Sequence, residues 1–286
     1  MGFVDSINGL LADPPPDFGF EVTEAGLAWS SAKGKGFTAF DPNTLRVSPS
    51  EENILRPDSI ARAVREVTGE GASRKRRTAA VILPDYAGRT TVLDFDSFPA
   101  KPEEQETLVK FRLRKAVPFD IDSASVSYFP QPRHGSKKID VIASSISLET
   151  LARYEAPFRA SSLHVGFVTT SMMATLNAVP TNGCRVVVKL NGLVLALAVT
   201  DSGALRLLRT IELPEASPDS IAEHLIPTLT YLEDEWGKQP LGVYAVGFDP
   251  QWLAPEVTAE ALQSPLGAAQ AHNAGLLGWL AAGGRL

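Results

Sequence analysis

Two stretches of this chain repeat one order of elements, and that duplication restricts the fold more than any other feature. In the first stretch, "FGFEVTEAGLAWSSA" and "GFTAFDP" read as strands joined by a Gly34-Lys35-Gly36 turn, with a third short strand near "TLRVS". Pro57 and Asp58 then open a helix whose Ile60, Ala61, Val64 and Val67 share one face, and "TAAVILP" follows as a continuous apolar run of the kind that forms a buried strand. In the second stretch, "RVVVKL" and "LVLALAV" flank the hairpin signal Asn191-Gly192, and "ALRLLRTIEL" follows the Asp201-Ser202-Gly203 turn. A helix is expected from about Ser217 to Trp236, with Ile221, Leu225, Leu229 and Leu232 on one face, and "LGVYAVG" supplies another buried strand. Three strands, a helix and a strand therefore occur twice, at a spacing too long for a solenoid repeat.

Between the copies lies a different unit. "TTVLDF" reads as a strand, "PEEQETLVKFRLRKAV" as a helix, "SASVSYFP" and "KIDVIASSI" as strands, and "SLETLARYEAPFRAS" as a helix, before "LHVGFVT" resumes the first copy. This alternation suggests an α/β insertion of ferredoxin-like type. The expected organisation is an amphipathic N-terminal segment with a proline linker (1–16), a first subdomain (17–84 and 162–182, with a C-terminal helix from 266–286 packing back on it), the insertion (85–161) and a second subdomain (183–265). In the insertion's first helix, Glu103, Glu104 and Glu106 occupy the first turns and Lys110, Arg112, Arg114 and Lys115 the last, as the helix dipole favours, and Pro118 ends it.

Charge excludes one broad class. A formal net charge of −6 argues against a nucleic-acid binder, which needs a basic surface, and "SRKRRT" reads as a solvated loop. No apolar run reaches the roughly 18 residues that span a bilayer, so no membrane insertion and a cytoplasmic location are expected. A single cysteine, Cys184, and four scattered histidines offer neither a disulfide nor a metal-ligand pattern. No Gly-x-Ser-x-Gly elbow, Walker A loop or His-Glu-x-x-His motif is present.

The duplicated unit with its insertion resembles the actin-like (duplicated RNase H-like) α/β fold. Within it, "RLRKAVPFDIDSASVSYF", "VILPDYAGRTTVLDFDSFP" and "LLRTIELPEASPDSIAEHLIPTLTYLEDEWGKQPLGVYAVG" resemble segments of the PilM family of type IV pilus assembly, and of its relative GspL of type II secretion. The resemblance runs from about Phe18 onward. It implies a scaffold at the cytoplasmic side of an inner-membrane platform, held there by the short cytoplasmic tail of a PilN-like membrane protein. The other platform components would be further partners. The tail would lie between the first subdomain and the insertion, near Pro84, Asp85, Tyr86, Arg112, Pro118 and Phe119.

Members of the fold that bind ATP hold its phosphates with two Asp-Ile-Gly-type hairpin loops. Here Glu21 stands at the first aspartate, Thr23 at the loop glycine and Glu24 at a serine, while Lys189 and Asn191 replace the second aspartate and glycine. A lysine cannot ligate magnesium. The adenosine-side glycine pair is reduced to Gly247-Phe248. The expectation is a degenerate nucleotide site, no catalytic residue, no metal and no bound ATP or magnesium. Glu21 and Lys189 read equally well as solvent-facing residues at strand ends. A working ATPase or a sugar-kinase-like enzyme is the alternative, and it needs the intact loop pair.

Overall fold

The computed structural model describes residues 15–69, 77–132, 138–253 and 257–284. The amphipathic "FVDSINGLLA" and most of the basic "SRKRRT" fall outside them.

The first body is a five-stranded sheet of order β3-β2-β1-β4-β8, built from β1 (Phe18–Thr23), β2 (Gly26–Ser31), β3 (Gly34–Ala39), β4 (Arg77–Leu83) and β8 (Leu163–Thr170). The first three strands run antiparallel, and β1-β4 and β4-β8 are parallel. The second body repeats this with β9 (Cys184–Asn191), β10 (Val194–Asp201), β11 (Ala204–Glu212), β12 (Gly242–Val246) and β13 (Ala259–Ala261) in the order β11-β10-β9-β12-β13. Its long helix α5 (Pro218–Trp236) begins where expected: the Ser217 hydroxyl accepts from the Ser220 N–H, and Gly237 closes the other end in the left-handed conformation.

Both faces of the first sheet are covered, which explains the unbroken apolar run of β4. Ala79, Val81 and Leu83 point into a core shared with α1 (Pro57–Thr68) and α3 (Leu148–Ala160). Ala80 and Ile82 point the other way, onto the short helix α4 (Ser171–Thr175) and α6 (Ala274–Ala281), where Leu276 and Trp279 meet them. Gly278 lets the two helices touch, since a Cβ there would lie 2.0 Å from the Ala174 carbonyl oxygen.

The insertion is a three-stranded sheet of order β5-β7-β6, from β5 (Arg89–Phe95), β6 (Ala124–Pro132) and β7 (Ile139–Ser147), with α2 (Pro102–Leu113) over it. It carries the β-α-β-β part of a ferredoxin-like order. The next helix, α3, expected to belong to the insertion through residue 161, instead buries Tyr154 and Phe158 in the first body's core, where Tyr154 Oη also donates to Asn53 Oδ1 at 3.0 Å. The insertion also bridges to the second body. Arg89 Nη1 donates to the Thr210 carbonyl at 2.8 Å, the Gln131 amide exchanges two hydrogen bonds with the Leu205 backbone, and Arg206 pairs with Asp140.

Local expectations are corrected in five places. "FGFEVTEAGLAWSSA" is itself a hairpin that turns at Glu24-Ala25, and the third strand is "GKGFTA". "TLRVS" forms no strand, only a bridge between Leu45 and Ile54. Gly34 and Gly36 lie in β3 rather than in the turn before it, because Gly36 pairs with Trp29 and a Cβ there would strike the indole at 2.5 Å. The second-body hairpin turns one residue late, at Gly192-Leu193, with Asn191 paired to Val194 and Gly192 at φ 60°. In the insertion, α2 stops at Leu113, and the Ala116 and Val117 N–H groups fold back onto its carbonyl, because Pro118 excludes helical geometry at the preceding residue.

Candidate functional site

Two regions compete for attention: the cleft between the bodies, and a groove between the first body and the insertion.

At the cleft the two hairpin tips face each other, with Glu24 Oε2 3.3 Å from where a Cβ on Gly192 would stand. Behind the tips, the sheets bring three charged side chains into the interior. Glu21, Asp85 and Lys189 are 0%, 7% and 1% exposed. The solvent-facing reading of Glu21 and Lys189 is therefore overturned, and the reason is the sheet's two-residue period: Lys189 shares a face with Val187, which looks into the core between the bodies. A buried ammonium requires a counter-charge. Asp85, just beyond β4, supplies it across the cleft, with Lys189 Nζ 2.7 Å from Asp85 Oδ2. The other Asp85 oxygen accepts from the Met172 N–H.

Glu21 is held from two sides. Its Oε2 accepts from the Leu276 N–H at 2.7 Å, and its Oε1 accepts from the Ser171 hydroxyl. Burial pushes its pKa above the usual glutamate range; the Lys189 ammonium, the Ser171 hydroxyl and the Leu276 N–H oppose that rise, and the Asp85 carboxylate adds to it.

The remaining nucleotide-site candidates are also engaged within the protein. Thr23 Oγ1 donates to the Gly26 carbonyl of its own hairpin at 3.1 Å, and Glu24 Oε1 accepts from the Val47 N–H at 2.9 Å. Gly247 sits at φ 85°, and a Cβ on it would come within 2.1 Å of the Leu190 carbonyl oxygen, so packing accounts for that glycine. Phe248 packs against the second body's core. Asn191 is half-buried at its hairpin end.

The groove lies between two strand edges. β8 ends the first body's sheet and β6 ends the insertion's sheet, so among the described strands each has one edge without a neighbour. Ser127, Tyr128 and Phe129 form one wall and Phe167, Val168 and Thr169 the other, with Met173 and, from the second body, Thr200 and Leu205 extending the lining; the cavity measures about 700 Å³. A smaller cavity of about 140 Å³ continues from it through Ser127, Ser144, Val168 and Thr169, and Ser145 and Thr90 line its inner end. The Ser145 hydroxyl is buried there and has no hydrogen-bond partner among the described residues. Among the described residues, none that lines either cavity carries a charge.

None of the six residues expected to line a peptide groove lines either of these cavities. Pro84 is buried, and Asp85 is committed to Lys189. Tyr86 packs against the first body's core beneath the Arg89 guanidinium, 5.0 Å from the ring centre. Arg112 lies over Phe95 and within 3.6 Å of Asp94, while Phe119 packs into the insertion's own core and Pro118 is exposed. Those segments face elsewhere than the cavity between the first body and the insertion, and Ser171 and the β6 and β8 edges carried no local signal.

No protein-family model matches the chain, and no curated protein sequence does. Solved structures match its fold. A chain of the PilM-PilN type IV pilus biogenesis complex superposes with a TM-score of 0.69 at 16% identity, over 95% of this chain and 99% of that one. The cytoplasmic domain of EpsL, an inner-membrane component of the type II secretion system of Vibrio cholerae, superposes with a TM-score of 0.55 at 14% identity, over 92% and 94% of the two chains. The fold is thus α/β and actin-like, two copies of one β-β-β-α-β unit with an insertion in the first, and at these identities the likeness is one of fold.

Proposed function

We propose that this chain is a non-enzymatic scaffold of a type IV pilus or type II secretion platform, and that it captures an extended segment of a PilN-like partner in the groove between β8 and β6. The observation that carries this reading is the uncharged groove between two unpaired strand edges. An extended peptide gains main-chain hydrogen bonds from such an edge and specificity from pockets for alternate side chains. The uncharged lining among the described residues favours an uncharged segment, since an ionised side chain would meet no counter-charge there. The hydroxyl-lined inner end, with Ser145, suits a polar side chain of that segment. The solved structure with the higher TM-score of the two comes from a complex containing PilN, which supports the same class of partner. The chain would then sit in the cytoplasm, held at the inner membrane by the partner; among the described residues no helix is long and apolar enough to cross a membrane.

The cleft does not fit a magnesium nucleotide. A phosphate there would meet the carboxylates of Glu21 and Glu24, and the cation at the site is already paired with Asp85. The reading therefore includes a degenerate nucleotide site without ATP hydrolysis.

Titration calorimetry with a synthetic peptide of the N-terminal cytoplasmic tail of a PilN-like protein tests the proposal. Binding by the unmutated protein and its loss in Ser127→Arg, an exposed position on the groove wall, is the expected result. No heat from that peptide, or micromolar binding of Mg-ATP, would sink the scaffold reading or the degenerate-site reading respectively.

A further inference from the structure

The groove and the buried charges share one short run of backbone. Phe167, Val168 and Thr169 line the groove, and Thr170 lines its inner end. The next residue, Ser171, donates its hydroxyl to Glu21, and the N–H of Met172 donates to Asp85. Met173 then lines the groove again. Seven consecutive residues, 167–173, thus serve both the groove wall and the cleft.

β8 is a sheet edge, so along its groove side it has no strand to hold it, and its position depends on β4 and on its C-terminal end. That end is fixed by two carboxylates, and one of them is fixed in turn by Lys189 from the other body. A buried ion pair contributes little net stability against an apolar replacement, but it can specify one arrangement among several. Met172 and Ala274 pack with second-body residues around the same point, so the joint is gripped from both bodies.

We propose that Asp85, Lys189 and Glu21 are positioning residues for the groove: they hold the joint between β8 and α4 so that the groove stands open for its peptide with no ligand in the cleft. Lys189, which touches neither groove wall, then governs peptide affinity. This rests on the groove reading given above only where peptide binding is measured.

The test has two arms on the full chain. In the first, amide hydrogen exchange compares the unmutated protein with Lys189→Met, with Lys189→Arg, and with the double variant Asp85→Asn/Lys189→Met, which leaves no unpaired member of the pair should the single variant not fold. The expected result is faster exchange at residues 168–173, roughly 5-fold or more, in Lys189→Met and in the double variant. Protection in β10 and β11 should be unchanged, and Lys189→Arg should keep most of it at the joint. Joint protection equal to the unmutated chain in either folded variant overturns the proposal. In the second arm, the same PilN-like tail peptide is titrated into the same proteins, and affinity should fall in the same order as protection. Unaltered affinity in folded Lys189→Met overturns the proposal and leaves the groove reading intact. Failure of the unmutated chain to bind the peptide overturns the groove reading instead, and the exchange arm then decides the proposal by itself.

Discussion

Arg206 of the second body reaches Asp140 of the insertion at 2.6 Å, with side chains 9% and 1% exposed. This ion pair, with the Gln131-Leu205 hydrogen bonds beside it, makes the insertion a strut between the bodies. Removing one partner of a buried pair leaves an uncompensated charge. Asp140→Ala should therefore lower stability by about 3–5 kcal/mol, far more than the roughly 0–1 kcal/mol of an exposed pair such as Arg114-Asp122. Urea denaturation of Asp140→Ala beside Asp122→Ala measures the contrast.

Glu21 gives stability a pH dependence of known sign. The folded state holds its proton to higher pH than the unfolded chain, whose value is near 4.5, so its contribution favours folding least above the raised pKa. As pH climbs from 4.5 through the raised value, this residue's contribution to unfolding free energy falls, and above that it levels off. Glu21→Gln should remove that slope while keeping the acceptor for the Leu276 N–H. Urea midpoints taken stepwise from pH 4.5 upward show it as a difference between the two proteins.

Gly278 tests the contact between α4 and α6. Alanine is the better helix former by about 1 kcal/mol, so propensity alone makes Gly278→Ala stabilising. Its methyl would meet a backbone oxygen at 2.0 Å, and neither helix can yield without parting from the sheet. The clash should win, with a net loss of about 1–3 kcal/mol seen as a lower thermal midpoint. An unchanged or higher midpoint would mean that α6 is not seated this closely.

Ser217→Ala, which removes the cap of α5, should cost about 1 kcal/mol. The same substitution at exposed Ser123, whose hydroxyl donates to Asp120 in a surface turn, should cost less, and chemical denaturation of both variants makes the comparison.

The duplicated frame was legible because central strands such as β4, β10 and β12 are apolar on both faces and because α5 carries its start and stop signals in Ser217, Pro218 and Gly237. Glycine misled at β3, where Gly36 makes room for Trp29 rather than a turn. The helix α3 was recognisable as amphipathic, yet an apolar face does not say which body it will cover. The charged cluster was beyond local reading for a related reason. Lys189 and Asp85 are 104 residues apart and Glu21 and Leu276 are 255 apart, and nothing near any of them in sequence marks the partner.

The helix at 274–281 supplies Leu276 to Glu21 and Trp279 to the far face of the first sheet. In the order of synthesis, then, the first body is begun near residue 18 and cannot be finished until the ribosome has made the second body and this helix. Until then Ala80 and Ile82 have only α4 over them, and the Glu21 carboxylate lacks one of its two donors. The nascent first body is therefore open on the side that later joins its twin, and the step that seals it is also the step that docks the two.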